Sequence, residues 1–273
     1  MCKPQGDWQM PDTLQQSRDL SFALDIIRSA GDIAMQLFEQ GVEASMKADQ
    51  TPVTVADQRC ERLIREAIMQ AFPQDDLLGE EEGASSGGAR RARRQWIIDP
   101  IDGTYNYARR VPIWSLLLAL EEDGEITLGI MHAPAMGEMF WASRGGGTFR
   151  NGEPVRVSSI SKAADAQFVF GAPSRFAAHE HLWSGLKRII DGTYRQRAFG
   201  DYLNFAHVFT GKAEAAMETG LKPWDLAPMK ILAEEAGGRF SDLKGGTSIY
   251  EGSCLVSNGL VHDEILRLLA GAP

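Results

Sequence analysis

The run Trp96-Ile97-Ile98-Asp99-Pro100-Ile101-Asp102-Gly103-Thr104 holds the densest chemistry in the chain: an apolar stretch delivers two carboxylates, three residues apart, into a turn containing Pro and Gly. Pro100 fixes a backbone torsion and removes an N–H, and Gly103 frees the chain to turn where the second carboxylate must converge on the first. Two carboxylates brought together away from water repel by on the order of several kcal/mol, so either one is protonated or a cation sits between them. Three further acidic islands lie far off in sequence. Leu77-Leu78-Gly79-Glu80-Glu81 ends an apolar strand in acids, Pro223-Trp224-Asp225 puts an acid in the first turn of a helix, and Asp57 follows the extended-looking Thr51-Pro52-Val53-Thr54. Each has a plainer alternative. Asp99 and Asp102 could make only an Asx-type turn beside Gly103, and Asp57 or Asp225 could serve only as a helix cap worth about 1 kcal/mol. A phospho-aspartyl phosphatase needs a single residue between its two acids; here Pro100 and Ile101 both intervene, which turns the first carboxylate off the line of attack.

Other candidate motifs dissolve on their context. Gly83-Ala84-Ser85-Ser86-Gly87 matches the form of a nucleophile elbow, but Glu80-Glu81-Glu82 precede it where an apolar strand is required, so Ser85 is read as part of an exposed Gly/Ser-rich and then basic loop over 83–94. His179 and His181 are two apart on an expected helix and share no face, which makes them surface histidines and not a zinc site. Cys2, Cys60 and Cys254 show no CxxC spacing and fit a reduced cytoplasm.

The elements that must hold these acids follow from periodicity. Apolar residues at spacings of three and four predict a long opening helix over 14–39 and a second over 58–71, stopped by Pro73. Short apolar runs predict strands at 96–98, 115–120 and 126–131, the last two joined as a hairpin through Glu122-Asp123-Gly124. The second half alternates, with strands expected at 168–170, 194–199 and 213–217 and helices at 181–190, 202–210 and 226–236. No linker or repeat divides the chain, so 1–273 is expected to be one unit of α+β class, with an N-terminal half over about 14–160 and a C-terminal half over 161–273. Its 28 Lys plus Arg against 37 Asp plus Glu leave a formal charge of −9, which disfavours nucleic acid as a partner. The N-terminal segment lacks the apolar core of an export signal, and no apolar stretch approaches the roughly 20 residues a bilayer needs, so a cytoplasmic protein without membrane contact is expected.

Taken together, the islands resemble the inositol monophosphatase superfamily of metal-dependent phosphatases, over nearly the whole chain from about Leu20 to Leu269. Lys47 with Pro52-Val53-Thr54 through Asp57, Gly79-Glu80-Glu81, the run Trp96 to Asn106, Phe149-Arg150-Asn151-Gly152, and Trp224-Asp225 with Glu235-Ala236-Gly237-Gly238 carry the likeness. Tyr107, where many members have Phe, and Pro228, where inositol monophosphatases usually have Ala, depart from it. The resemblance implies a layered αβαβα sandwich of the inositol monophosphatase and fructose-1,6-bisphosphatase type, a lithium-sensitive hydrolase, and a homodimer. It also implies that Glu80, Asp99, Asp102, Asp225 and the carbonyl of Ile101 hold Mg²⁺, with Asp57 reaching a further ion, about two to three ions in all. By the same resemblance Thr104 orients the attacking water, Glu80 and Asp57 assist catalysis, and the N–H groups of Gly103 and Thr104 hold phosphate oxygens.

The substrate implied is a small phosphate monoester. Gly200-Asp201 and Pro223-Trp224-Asp225-Leu226-Ala227-Pro228 resemble the bacterial histidinol-phosphatase branch, while Glu218 matches the acid that contacts substrate hydroxyls in inositol monophosphatases. Asp201 and Glu218 together would complement an ammonium or imidazolium. L-histidinol phosphate is therefore expected, with inositol-1-phosphate as the alternative and a catalytically inactive binding protein as the alternative of another class. Bisphosphate substrates would need a second basic cluster that the sequence does not display.

Overall fold

The computed structural model describes residues 18–47, 52–87 and 93–271. Helix α1 (Arg18–Gln40) buries Leu20, Leu24, Ile27, Ala34 and Leu37 on one face, the stripe its spacing requires. A two-residue ribbon, β1 (Ser45–Met46) against β2 (Pro52–Val53), leads into α2 (Val55–Ala71), whose N-cap is Thr54. An eight-stranded sheet follows: β3 (Asp76–Gly79), β4 (Gly83–Ser85), β5 (Arg94–Asp102), then after the short helix α3 (Thr104–Ala108), β6 (Ser115–Glu122), β7 (Glu125–Ala133), β8 (Glu138–Ser143), β9 (Gly147–Arg150) and β10 (Glu153–Val155). Its order is β10-β9-β8-β7-β6-β5-β3-β4, antiparallel except for the parallel pair β3 and β5.

The remaining elements are β11 (Gln167–Phe170), α4 (Pro173–Ala177), α5 (Glu180–Gly192), β12 (Arg195–Arg197), α6 (Asp201–Phe209), β13 (Ala215–Thr219), α7 (Pro223–Glu235), β14 (Arg239–Ser241), β15 (Ser253–Ser257) and α8 (His262–Ala270). They build a five-stranded mixed sheet in the order β12-β11-β13-β15-β14. Three apolar clusters define the layers. α1 and α2 pack on one face of the large sheet; α6 and α7 lie between the two sheets; α5 and α8 cover the outer face of the small one. That is the expected αβαβα sandwich. It explains the unbroken run Leu116-Leu117-Leu118-Ala119-Leu120: alternate residues enter different clusters, so β6 is apolar on both sides.

Helix α7 is buried all round, from Leu226 to Ala233, because sheets flank it on two sides. Gly129 of β7 permits its close approach: a Cβ there would stand 2.5 Å from Ile231 Cγ2 and 3.0 Å from Pro228 Cα. The expected hairpin turn is present, with φ of 52° at Asp123 and 86° at Gly124, the two left-handed residues that match strand twist. Several boundaries differ from the sequence expectation. β5 extends past Ile98 to Asp102, and α2 and α7 each begin three residues early, at Val55 and Pro223. Within the expected loop over 83–94, Gly83–Ser85 pairs with β3 as a strand, while residues 88–92 lie outside the described residues. The strand expected at 194–199 shortens to Arg195–Arg197, and His179 precedes α5. Among the described residues no helix is long and apolar enough to cross a membrane.

Candidate active site

The end of β5 is the centre of the site. Pairing with β6 shifts register between Asp99, opposite Leu117, and Asp102, opposite Ser115, so the two acids flank a local irregularity at Pro100 and Ile101. Asp99 Oδ1 accepts the N–H of Ile101 at 3.0 Å, so the Asx-type turn weighed as an alternative is present, and the acids nonetheless converge. Gly103 then turns in the left-handed region at φ 88°; a Cβ there would stand 3.1 Å from the Ile113 carbonyl oxygen and 3.2 Å from Asp201 Cγ. Asp102 Oδ2 accepts the N–H of Tyr202 at 2.9 Å, which ties the β5 terminus to the first turn of α6.

Asp225 arrives from the first turn of α7, where its Oδ2 accepts the N–H of Lys222 at 2.7 Å. Lys222 and not Asp225 is the N-cap, and one oxygen each of Asp99, Asp102 and Asp225 lies within 4.8 Å of the others. Burial, followed by the charges of neighbouring acids, pushes the carboxyls of Asp99 and Asp102 well above the ordinary range, and burial pushes Asp225 up to about 6. These three acids could hold a metal ion. The fit is chemical as well as spatial: the donors are hard carboxylate oxygens without Cys or His, the kind a divalent Mg²⁺-like cation takes.

Asp57 stands on the α2 side of the cluster, fully buried. It is not the N-cap itself: Thr54 caps α2, and Asp57 Oδ2 accepts the N–H of Thr54 at 2.8 Å and its hydroxyl at 2.6 Å. The other oxygen faces the Thr104 hydroxyl, 3.0 Å from Oγ1, which also lies 3.0 Å from the Ile101 carbonyl oxygen. Burial raises Asp57 to about 6 against those hydrogen bonds. Glu80 follows β3 and is ion-paired: Lys47 Nζ lies 2.8 Å from Glu80 Oε1 and 2.6 Å from Glu81 Oε1. Burial draws the Lys47 ammonium down, but the two carboxylates more than offset it and its pKa rises.

The acids expected to face substrate come from the far side. Asp201 is the first residue of α6, strained at φ 46°, and Gly200, not Asp201, is the N-cap. Asn106 Nδ2 donates to Asp201 Oδ2 at 2.5 Å and to the Ile113 carbonyl at 3.0 Å. Glu218 lies in β13, buried against Gly171, and accepts from Asn204 Nδ2 at 2.7 Å. Burial raises Asp201 to about 6 and Glu218 to about 7, with the Arg175 guanidinium opposing both. Asn106, Asn204, Thr54 and Arg175 were given no role by the sequence reading; their polar partners are set by tertiary contact. Thr54, in the Pro52-Val53-Thr54 segment before Asp57, and Asn106, at the end of the Trp96–Asn106 run, lie inside motifs that draw attention to them.

Comparison with known proteins gives a consistent picture. The sequence profile of the inositol monophosphatase family matches residues 15–272. The chain is 38% identical to a histidinol-phosphatase of Mycobacterium tuberculosis over 260 residues, covering 93% of this chain and 98% of that one. It is 40% identical to a histidinol-phosphatase of Chlorobaculum parvum over 243 residues, covering 88% and 91%. Among solved structures, the IMPase of Thermotoga maritima superposes with a TM-score of 0.83 at 32% identity, covering 93% of this chain and 98% of that one.

Proposed function

The chain belongs to the inositol monophosphatase family and is a phosphatase, and from that premise we propose that it is a Mg²⁺-dependent hydrolase of L-histidinol phosphate. The single observation that carries the metal-centred reading is the Asp99, Asp102 and Asp225 triad, Asp99 buried and the other two half-buried, with oxygens within 4.8 Å of one another and raised pKa values. Glu80 and the Ile101 carbonyl would complete the ligand set, with Asp57 toward a further ion. When bound, the metal would supply Lewis acidity and lower the pKa of a water at the site.

The protein's own groups then have definite tasks. Asp57, fixed by Thr54, accepts the Thr104 hydroxyl proton and so leaves the Thr104 oxygen aimed at the attacking water. Glu80, held by Lys47, would take the proton that the attacking water loses as the ester P–O bond breaks, and that proton then goes to the departing alkoxide. The amides of Gly103 and Thr104 hold phosphate oxygens, and no covalent phosphoenzyme is required. Phosphoryl transfer with a loose transition state is served mainly by such positioning and charge stabilisation.

The substrate assignment draws support from relatives 38% and 40% identical that are histidinol-phosphatases, and from the two acids Asp201 and Glu218. A substrate amine would meet their charge. A second reading, inositol-1-phosphate, is favoured by Arg175, whose charge opposes the raised pKa of both acids and already offsets part of the field an amine would meet. Phosphate release from a panel of monophosphates, with and without Mg²⁺, decides between them. Metal-dependent release fastest from histidinol phosphate is expected; a strong preference for inositol-1-phosphate reverses the ranking, and release indifferent to metal removes the metal-centred mechanism.

A further inference from the structure

Asp57, Glu61 and Arg65 are all buried on α2 at four-residue spacing, and residues so spaced share one helix face. Asp57 serves Thr104, whereas the other two serve the turn between β3 and β4. The Glu61 carboxylate, fully buried, accepts the backbone N–H of Glu81 at 2.8 Å and of Glu82 at 3.0 Å, together with Arg65 Nε at 2.8 Å. The Arg65 guanidinium continues to the Gly83 carbonyl and to Ser85 Oγ, the latter at 3.2 Å. Gly79 makes room for the pair: a Cβ there would stand 2.1 Å from Glu61 Oε1 and 2.8 Å from Arg65 Nη2.

Net stability is a poor explanation for this arrangement, because a buried ion pair replaced by apolar side chains of similar volume is often neutral or stabilising. Its geometric consequence is specific. The main chain directly after Glu80 is fastened to the helix that carries Asp57, so Glu80 and Asp57 are referred to one rigid body. Without the fastening, the side chain of Glu80 would be held chiefly by Lys47, which follows the two-residue strand β1.

We propose that the Glu61–Arg65 pair is a positioning device that sets Glu80 against Asp57 and the β5 acids before a metal ion arrives. The pair touches neither metal nor substrate; it acts through the turn. This rests on the reading of Glu80 as a metal ligand. Loss of an outer partner of a metal ligand typically costs about 10–100-fold in metal affinity, and that is the size of effect expected.

The test uses the double variant Glu61→Leu with Arg65→Met, and Glu61→Gln alone, with Mg²⁺ affinity measured by calorimetry on chelator-treated protein. The double variant is expected to fold and to bind Mg²⁺ about tenfold or more weakly, with KM at saturating Mg²⁺ within about twofold of wild type, a split that a general loss of structure would not give. In metal-free wild type the amides of Glu81 and Glu82 are expected to exchange with solvent as slowly as those of β5. Wild-type Mg²⁺ affinity in the folded double variant overturns the proposal, and so does exchange of those two amides at the rate of an exposed loop. Should the double variant not fold, unchanged affinity in Glu61→Gln overturns it equally. Glu80→Gln is measured in parallel: if it binds Mg²⁺ as wild type does, it is the reading of Glu80 that falls, and the positioning claim falls with it.

Discussion

Two acidic regions of this molecule sit close together and are treated oppositely. On the α2 side, Glu61 has Arg65, Glu80 and Glu81 have Lys47, and the turn that carries them is bound by main-chain hydrogen bonds. At the end of β5, Asp99, Asp102 and Asp225 receive backbone N–H groups, but no Lys or Arg is ion-paired to them among the described residues. The first region has cations of its own, although Glu80 and Glu81 share the single Lys47 and burial still raises Glu81 to about 7; the second has none and is built to receive charge from outside. An acid's place in a buried cluster therefore says little until its cation is found, and where the protein supplies none a ligand must.

The sharpest way to break this contrast is to remove an acid from the β5 end. Asp99→Asn should lower turnover by more than about 100-fold, beyond the loss of an outer partner, and weaken the dependence on Mg²⁺. Turnover near wild type with an unchanged Mg²⁺ profile would place the essential charge elsewhere. An intermediate effect is expected at the substrate end, where Asp201→Asn should raise KM for histidinol phosphate about tenfold, since about 1.4 kcal/mol is one decade. Inositol-1-phosphate should respond little, because its hydroxyls can donate to Asn as well as to Asp. Equal effects on both substrates would make Asp201 a structural residue that holds Asn106 and nothing more.

The smallest effect is on stability and is read in melting temperature against pH. In the metal-free protein Asp57, Asp201 and Asp225 titrate near 6 and Glu218 near 7, all raised by burial, so the native state keeps protons that the unfolded chain loses from about pH 4 upward. Their contribution is present at low pH and is lost as pH rises through 6 to 7. Buried His132 and His262, lowered to about 4, act the other way between about 6.5 and 4, because the unfolded chain takes up protons there that the native state refuses. The acids, with Asp99 and Asp102 added, outweigh the two histidines. Melting in chelator should therefore be higher at pH 5.5 than at pH 7.5, and Mg²⁺ should flatten or reverse that order. The same slope with and without Mg²⁺ would mean that the acids and the metal do not meet.

The legibility of the sequence followed the range of the interactions. Periodicity exposed α1 and the hairpin of β6 and β7, because burial of one helix face or one strand pair writes itself locally. β4 left no such trace: three residues pair with β3 across a turn bound by Glu61, 20 residues back from Glu81. The Asp99-Pro100-Ile101-Asp102-Gly103-Thr104 run announced its chemistry, since two acids, a proline and a glycine at that spacing are unusual for packing alone. The bond from Asn106 to Asp201, across 95 residues, and those from Glu61 to the amides of Glu81 and Glu82 could not be read, because only the fold brings these partners near.

The central claim is that the β5 and α7 acids form a charge-deficient site awaiting a divalent cation, and titration of Mg²⁺ into chelator-treated protein near pH 6.5, in buffers of different ionisation heat, tests it most directly. Burial raises Asp99 and Asp102 well above their ordinary range and Asp225 to about 6, so binding should release protons, seen as an observed heat that varies with the buffer, and Asp99→Asn should release fewer and bind more weakly. Absence of binding, or binding whose heat is the same in every buffer and in Asp99→Asn, would contradict the account.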